Sequence, residues 1–159
     1  MMDKKVKYAL YGGIISIVVI SMVYCAIIFW NNNKITEIKN PSWVVDDILK
    51  VNIDDFSEKN NNVTLSGWCL KESEDMGYAN YYIVVHALSS DKYYKVRTGY
   101  QRRDDVTKHW ADGYDYGNSG FCMDMDKRNL PSDEYEICLW YCVNNNNIFQ
   151  NLGLSFDVE

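Results

Sequence analysis

Two sets of side chains in this sequence have the types and spacing to do chemistry. The first is the stretch 100–119, where Tyr100, Arg102, Arg103, Asp104, Trp110, Tyr114 and Tyr116 fall close together. Flat ring faces beside guanidinium and carboxylate groups are what a site for a glycan or a peptide needs. The plain alternative is that aromatic residues are common in strands and that these charges pair with one another. Trp140 is a further candidate ring, while Trp68, inside a strand pattern, reads as core. The second set is Cys69, Cys122, Cys138 and Cys142, all placed in predicted strands.

Catalysis finds less support. There is no G-x-S-x-G, no H-E-x-x-H and no phosphate-cradling glycine loop, and the chain has 2 histidines. His86 lies in an apolar run and reads as a packed core residue. His109 follows Asp104 and Asp105 and is the one histidine placed to be oriented by a carboxylate, although a solvated loop histidine is the commoner case. Asp112, Asp115, Asp124 and Asp126 offer oxygen ligands without the spacing of a calcium loop. Cys138 and Cys142 fall two positions apart on one strand face, too far apart to share a metal. The expectation is therefore a chain that is not an enzyme, with no cofactor and no metal.

The elements that position these residues are strands. Residues 50–56 and 63–70 alternate apolar and polar side chains and read as a hairpin, and 80–90 is apolar almost throughout, as in a strand covered on both faces. Further strands fall at 93–99, 121–126, 134–143 and 152–158. The stretch 100–119 holds no period, so it reads as a functional or partly structured loop, with Asp104 or Asp105 capping one helical turn through His109 or Trp110. Seven strands with turn signals at short intervals, and no crossover helix, predict an all-β fold: an antiparallel immunoglobulin-like β-sandwich.

Before the strands comes a segment of another kind. Residues 8–30 hold no charge, and as a helix they span roughly 34 Å against a hydrocarbon core of roughly 30 Å. Lys4, Lys5 and Lys7 precede the run and Lys34 follows it, which puts the N-terminus in the cytoplasm. The run exceeds the apolar core of a cleaved signal, and Tyr24 is too bulky for Cys25 to be a lipidation site. The predicted organisation is a cytoplasmic tail at 1–7, a transmembrane helix at 8–30, a connector at 31–47 with a helical turn near Trp43 to Leu49, and a β-sandwich ectodomain at 48–159. Acids outnumber bases, with a net charge of −6, which argues against nucleic acid as a partner.

Several short motifs carry a resemblance. Ile53-Asp54, the Ser66-Gly67-Trp68 strand end, Arg103-Asp104-Asp105-Val106, Ser119-Gly120-Phe121, Leu130-Pro131 and Tyr135-Glu136-Ile137 are together similar to β-sandwich modules of bacterial envelope proteins, some found beside polysaccharide-handling proteins. The resemblance implies an envelope setting and proximity to glycan. It carries no catalytic residue.

In an oxidising compartment the four cysteines have partners to choose from. A hairpin over 121–143 turning at Leu130 sets Asp126 opposite Glu134, Asp124 opposite Glu136, and Cys122 opposite Cys138, leaving Cys142 to meet Cys69. This is one of three connectivities, and four reduced thiols packed as small apolar groups are the alternative. The sequence thus leads to a single-pass membrane protein displaying a binding or assembly module to an envelope glycan or an envelope protein. A structural accessory subunit of a membrane complex is the alternative, and a glycan hydrolase a more distant one.

Overall fold

The computed structural model describes residues 4–32, 35–77, 80–144 and 146–159, which form two compact units, the second beginning at Ile35. The first unit is a single helix, α1 (Lys4–Asn32), as a run without proline or a buried polar group favours. Its side chains are described over 13–27, where Ile15, Ile17, Ile20 and Met22 are each more than 60 % exposed. Apolar residues lie on all its sides rather than along one stripe. Among the described residues no helix is long and apolar enough to cross a membrane. The lysines that set the expected orientation lie outside the described side chains.

The second unit contains β1 (Thr36–Ile38), β2 (Val44–Val45), β3 (Lys50–Lys59), β4 (Asn62–Leu70), β5 (Tyr81–Ala87), β6 (Lys92–Lys95), β7 (Thr98–Gln101), α2 (Asp104–Trp110), β8 (Gly120–Asp126), a 3-10 turn (Lys127–Asn129), β9 (Asp133–Tyr141) and β10 (Ile148–Val158). They make two sheets, ordered β3-β4-β8-β7 and β1-β6-β5-β9-β10-β2. All neighbours are antiparallel except β2, which runs parallel to β10. The period-two pattern explains the packing: Val63, Leu65 and Cys69 of β4 are buried while Thr64, Ser66 and Trp68 between them are not. Opposite them Tyr81, Ile83 and Val85 of β5 and Tyr135, Ile137, Leu139 and Tyr141 of β9 complete the core.

All seven expected strands are present, with two refinements. The strand expected at 93–99 is divided, β6 joining one sheet and β7 the other. Thr98 makes the division: its Oγ1 accepts from Ile83 N at 2.7 Å and donates to Val96 O at 3.2 Å, satisfying the backbone where the chain leaves its sheet. The connector is part of the sandwich. β1 pairs with β6 at one edge of the larger sheet, and β2 pairs with β10 at the other. Between them Trp43 stacks on Phe149 at 4.2 Å, covering the outer face over Val84 and Cys138. The helical turn expected from Trp43 to Leu49 is absent, replaced by β2.

The expected hairpin at 121–143 is not formed. β8 and β9 belong to different sheets, and Leu130, the expected centre of the turn, is buried where the chain crosses between them. Cys122 lies opposite Ser66 and Gly99, Cys138 opposite Val84 and Asn151, and Cys69 opposite Val51. The pairing of Cys122 with Cys138 and of Cys69 with Cys142 is therefore overturned, and all are free thiols. The expected stacking of acids disappears with the hairpin: Asp124 faces Thr64 and accepts from Asn62 Nδ2 at 2.7 Å.

Candidate functional site

The stretch between β7 and β8 is closed at its neck by Arg103 N donating to Gly117 O at 2.7 Å. Inside that neck α2 places Asp104 and Asp105 in its first turn and Lys108 and His109 in its last, which suits the helix dipole at both ends. It stops at Ala111, whose left-handed backbone (φ 47°) lets its N–H reach Thr107 O.

Beyond α2 the chain folds back on its own side chains. Asp115 Oδ1 accepts from Gly117 N at 2.8 Å, and Thr107 Oγ1 accepts from Tyr116 N at 2.9 Å. Tyr116 is fully buried; its hydroxyl donates to Asp112 Oδ2 at 2.7 Å and accepts from Ser73 N at 3.0 Å. Burial, aided by the Asp112 carboxylate, pushes the Tyr116 phenol up to about 12. The loops after β4 and β9 are tied to this structure. Asp115 N donates to Asp75 Oδ1, Asn118 Nδ2 to Gly77 O, and Asn144 Nδ2 to Asp75 O.

The seven candidate residues do not form one exposed cluster. Tyr100 is exposed at the end of β7 with its hydroxyl donating to Tyr81 O at 3.3 Å, and Tyr114 is exposed on the loop. Arg102 pairs with Asp104 at 2.8 Å on the surface. Arg103 grips Asp105 through Nε and Nη2, at 3.0 and 2.8 Å, and also bonds Asp54. This grip holds the Asp105 carboxyl down at about 2. Tyr116 is a buried pillar whose ring does not reach the surface to meet a ligand.

Trp110 is different. With Asn52, Trp68, Asp105, Val106 and His109 it lines a cleft of about 420 Å³ between α2 and the outer face of the smaller sheet. Trp68 was expected in the core; it is half-buried on the opposite side of β4 from Cys69 and forms the cleft's other wall. The Trp110 Nε1 is buried with no hydrogen-bond partner among the described residues. Asn52 and His109 were not singled out as binding residues, and the sequence signal for them was slight, namely an alternation that sets Asn52 on the same strand face as Asp54. His109 and Asp105 share the cleft, but Asp105 is already engaged by Arg103.

A second aromatic group lies on the outer face of the larger sheet. Trp43, Tyr82, Tyr93 and Trp140 are half-buried around Phe149. Trp140 Nε1 donates to Asn147 Oδ1 at 2.7 Å, and Lys95 Nζ sits 4.7 Å above the Tyr82 ring. His86, expected in the core, is on this outer face, stacked on Tyr93 at 4.2 Å with Nε2 2.9 Å from Asp91. Its inward neighbours Val85 and Ala87 take the core positions instead. Trp140 Nε1 and His86 Nε2 are thus engaged locally and the rings pack on one another across the sheet face, whereas Trp68 and Trp110 face each other across a cleft. Among the described residues no three metal-binding side chains come together.

Compared with known proteins, the chain matches no family model, no curated relative and no solved structure.

Proposed function

We propose that this chain is a membrane-anchored, non-catalytic binding module whose cleft between Trp68 and Trp110 holds a saccharide ring of a cell-envelope glycan. The observation that carries the reading is the cleft itself. Two indole walls and an amide donor at Asn52, whose Nδ2 also bonds Asp54, combine apolar faces with a hydrogen-bond group. A sugar ring supplies the complement, with C–H faces for the indoles and an oxygen acceptor for the donor. Arg103 braces the wall by tying Asp105 of α2 to Asp54 of β3.

The fold is read here as immunoglobulin-like. Taken in chain order, β3 to β10 follow the A-B-C-C′-D-E-F-G succession, with A-B-E-D in one sheet and C′-C-F-G in the other. Tyr135, near the start of β9, donates to Pro131 O at 2.9 Å, the tyrosine corner of such sandwiches. The apolar residues on all sides of α1 support a single membrane span, and the lysines before it in the sequence favour the extracytoplasmic side for the sandwich. An envelope setting also agrees with the resemblance of the short motifs to envelope modules.

The test is a glycan array probed with the full-length chain in detergent micelles, beside Trp68→Ala and Trp110→Ala. Binding that both substitutions abolish supports the reading. Binding that survives both, or a folded chain that binds no glycan, overturns it.

A further inference from the structure

The outer side of β10 is the least finished part of the sandwich. β2 pairs with Ile148 and Phe149 alone, yet β10 continues to Val158. Among the described residues no other strand pairs on that side, so the ladder ends after two residues. Beside the open stretch lies a hollow of about 420 Å³ lined by Asp47, Glu136, Asn151, Gly153, Leu154 and Ser155. The register of β10 on β9 shifts between Asn151 and Leu154, with Gly153 at φ 69° in open space. Such a bulge bends an edge and limits how long a partner strand can follow it. At the far end the Asp157 and Val158 carbonyls are already taken by Lys127 Nζ and Ser132 Oγ. Within the lane the Gly153 N–H is taken by Asn151 Oδ1 at 2.7 Å, so what stays open is the rest of the edge over about residues 150–155.

We propose that this lane accepts a short extended polypeptide segment bearing basic side chains, added as a strand beside β10. Unpaired backbone groups on a strand edge are a template for another strand. Apolar ground lies at hand, with Leu152 and Leu154 half-buried on β10 and Val44 and Val45 exposed by 63 and 75 % on β2. Charge selects the occupant. The lining residues include two carboxylates, Asp47 and Glu136, and no lysine or arginine. The nearest cationic candidate, His86 Nδ1, is 3.8 Å from Glu136 Oε2 and faces Asp91 on its other side. A second copy of the chain pairing edge to edge would bring these acids against themselves, in a chain whose net charge is −6. A basic segment meets complementary charge instead.

The experiment uses the full-length chain in detergent micelles and an octapeptide alternating lysine and valine. Its controls are a glutamate and valine counterpart and a lysine and valine peptide N-methylated on one edge. The lysine peptide is expected to bind at least about ten-fold more tightly than the glutamate peptide and to slow amide exchange at residues 150–155. N-methylation abolishes both effects. Asp47→Asn with Glu136→Gln brings the two peptides to equal affinity while thermal unfolding is unchanged. No binding up to about 1 mM, binding that tolerates N-methylation, or protection elsewhere in the chain overturns the proposal. So does protection of β10 without peptide that accompanies a doubled mass in light scattering, since the occupant is then a second copy.

Discussion

Between β7 and β8 the chain buries Tyr116 between Asp112 and Ser73 N and turns Asp112 and Asp115 onto its own backbone. Along the outer side of β10 a regular strand ends its pairing after two residues, leaving exposed valines beside it and carboxylates facing a hollow. The irregular stretch turns more of its polar groups onto itself, although Trp110 Nε1 and Ser119 Oγ are buried without partners among the described residues. What separates them is local partners: Asp112 and Asp115 each reach the N–H two residues on, whereas an edge strand has unpaired backbone on one side by geometry. Regularity of sequence is thus a poor guide to which surface is available to a ligand.

The contrast is sharpest in stability. Tyr116→Ala removes a fully buried ring and two hydrogen bonds, and is expected to cost about 3 to 5 kcal/mol in urea denaturation. Val45→Thr on β2, at 75 % exposure, should stay within about 0.5 kcal/mol. Comparable losses at the two sites would mean that Tyr116 is no more integral to the fold than an exposed edge residue. Gly120→Ala comes next. A Cβ there meets Gln101 O at 2.4 Å and Arg103 Cγ at 2.7 Å, so the neck must open at a cost of about 1 to 3 kcal/mol, read from the same denaturation curves.

Acid should separate the regions again. Arg103 holds Asp105 at about 2, below its ordinary value. The carboxylate form is thus favoured by folding, a contribution complete above about pH 4 and lost as pH falls toward 2. Asp133 behaves alike, held at about 2 by Ser89 N and then by the hydroxyls of the β5 to β6 turn. In Asp105→Asn the thermal midpoint is expected to fall less steeply with pH across that window than in the parent chain. A slope identical to the parent's contradicts the role given to the Arg103 grip. The smallest effect concerns the thiols. Burial raises the Cys138 thiol to about 12 and Cys69 higher still, so mass spectrometry after iodoacetamide at neutral pH should find both unmodified in the folded chain. Labelling of Cys69 before unfolding would mean that the core opens.

The sequence made the strands legible because burial on one face imposes period two, and Val63, Leu65 and Cys69 display it plainly. It did not reveal the crossing at Leu130, because Leu-Pro-Ser has the composition of a hairpin turn and only tertiary burial of Leu130 tells the two apart. That error carried the cysteine register with it. The division at Thr98 was equally hidden, since Val96 and Thr98 suit a continuous strand and the Ile83 N–H that selects the break is distant in the chain. Trp43 looked like a connector residue because its partner Phe149 lies over a hundred positions away. At the candidate site Trp110 was legible from its aromatic surroundings. Trp68 was not, because alternation alone does not say which face of β4 is the core.

The most direct test of the account is fluorine NMR of the full-length chain labelled with fluorotryptophan, titrated with a set of soluble envelope oligosaccharides. The 5 tryptophans give separate reporters for the cleft and for the outer face of the larger sheet. The account predicts that the Trp68 and Trp110 resonances shift together and saturate while those of Trp43 and Trp140 stay in place. No shift with any oligosaccharide, or shifts confined to Trp43 and Trp140, would contradict it.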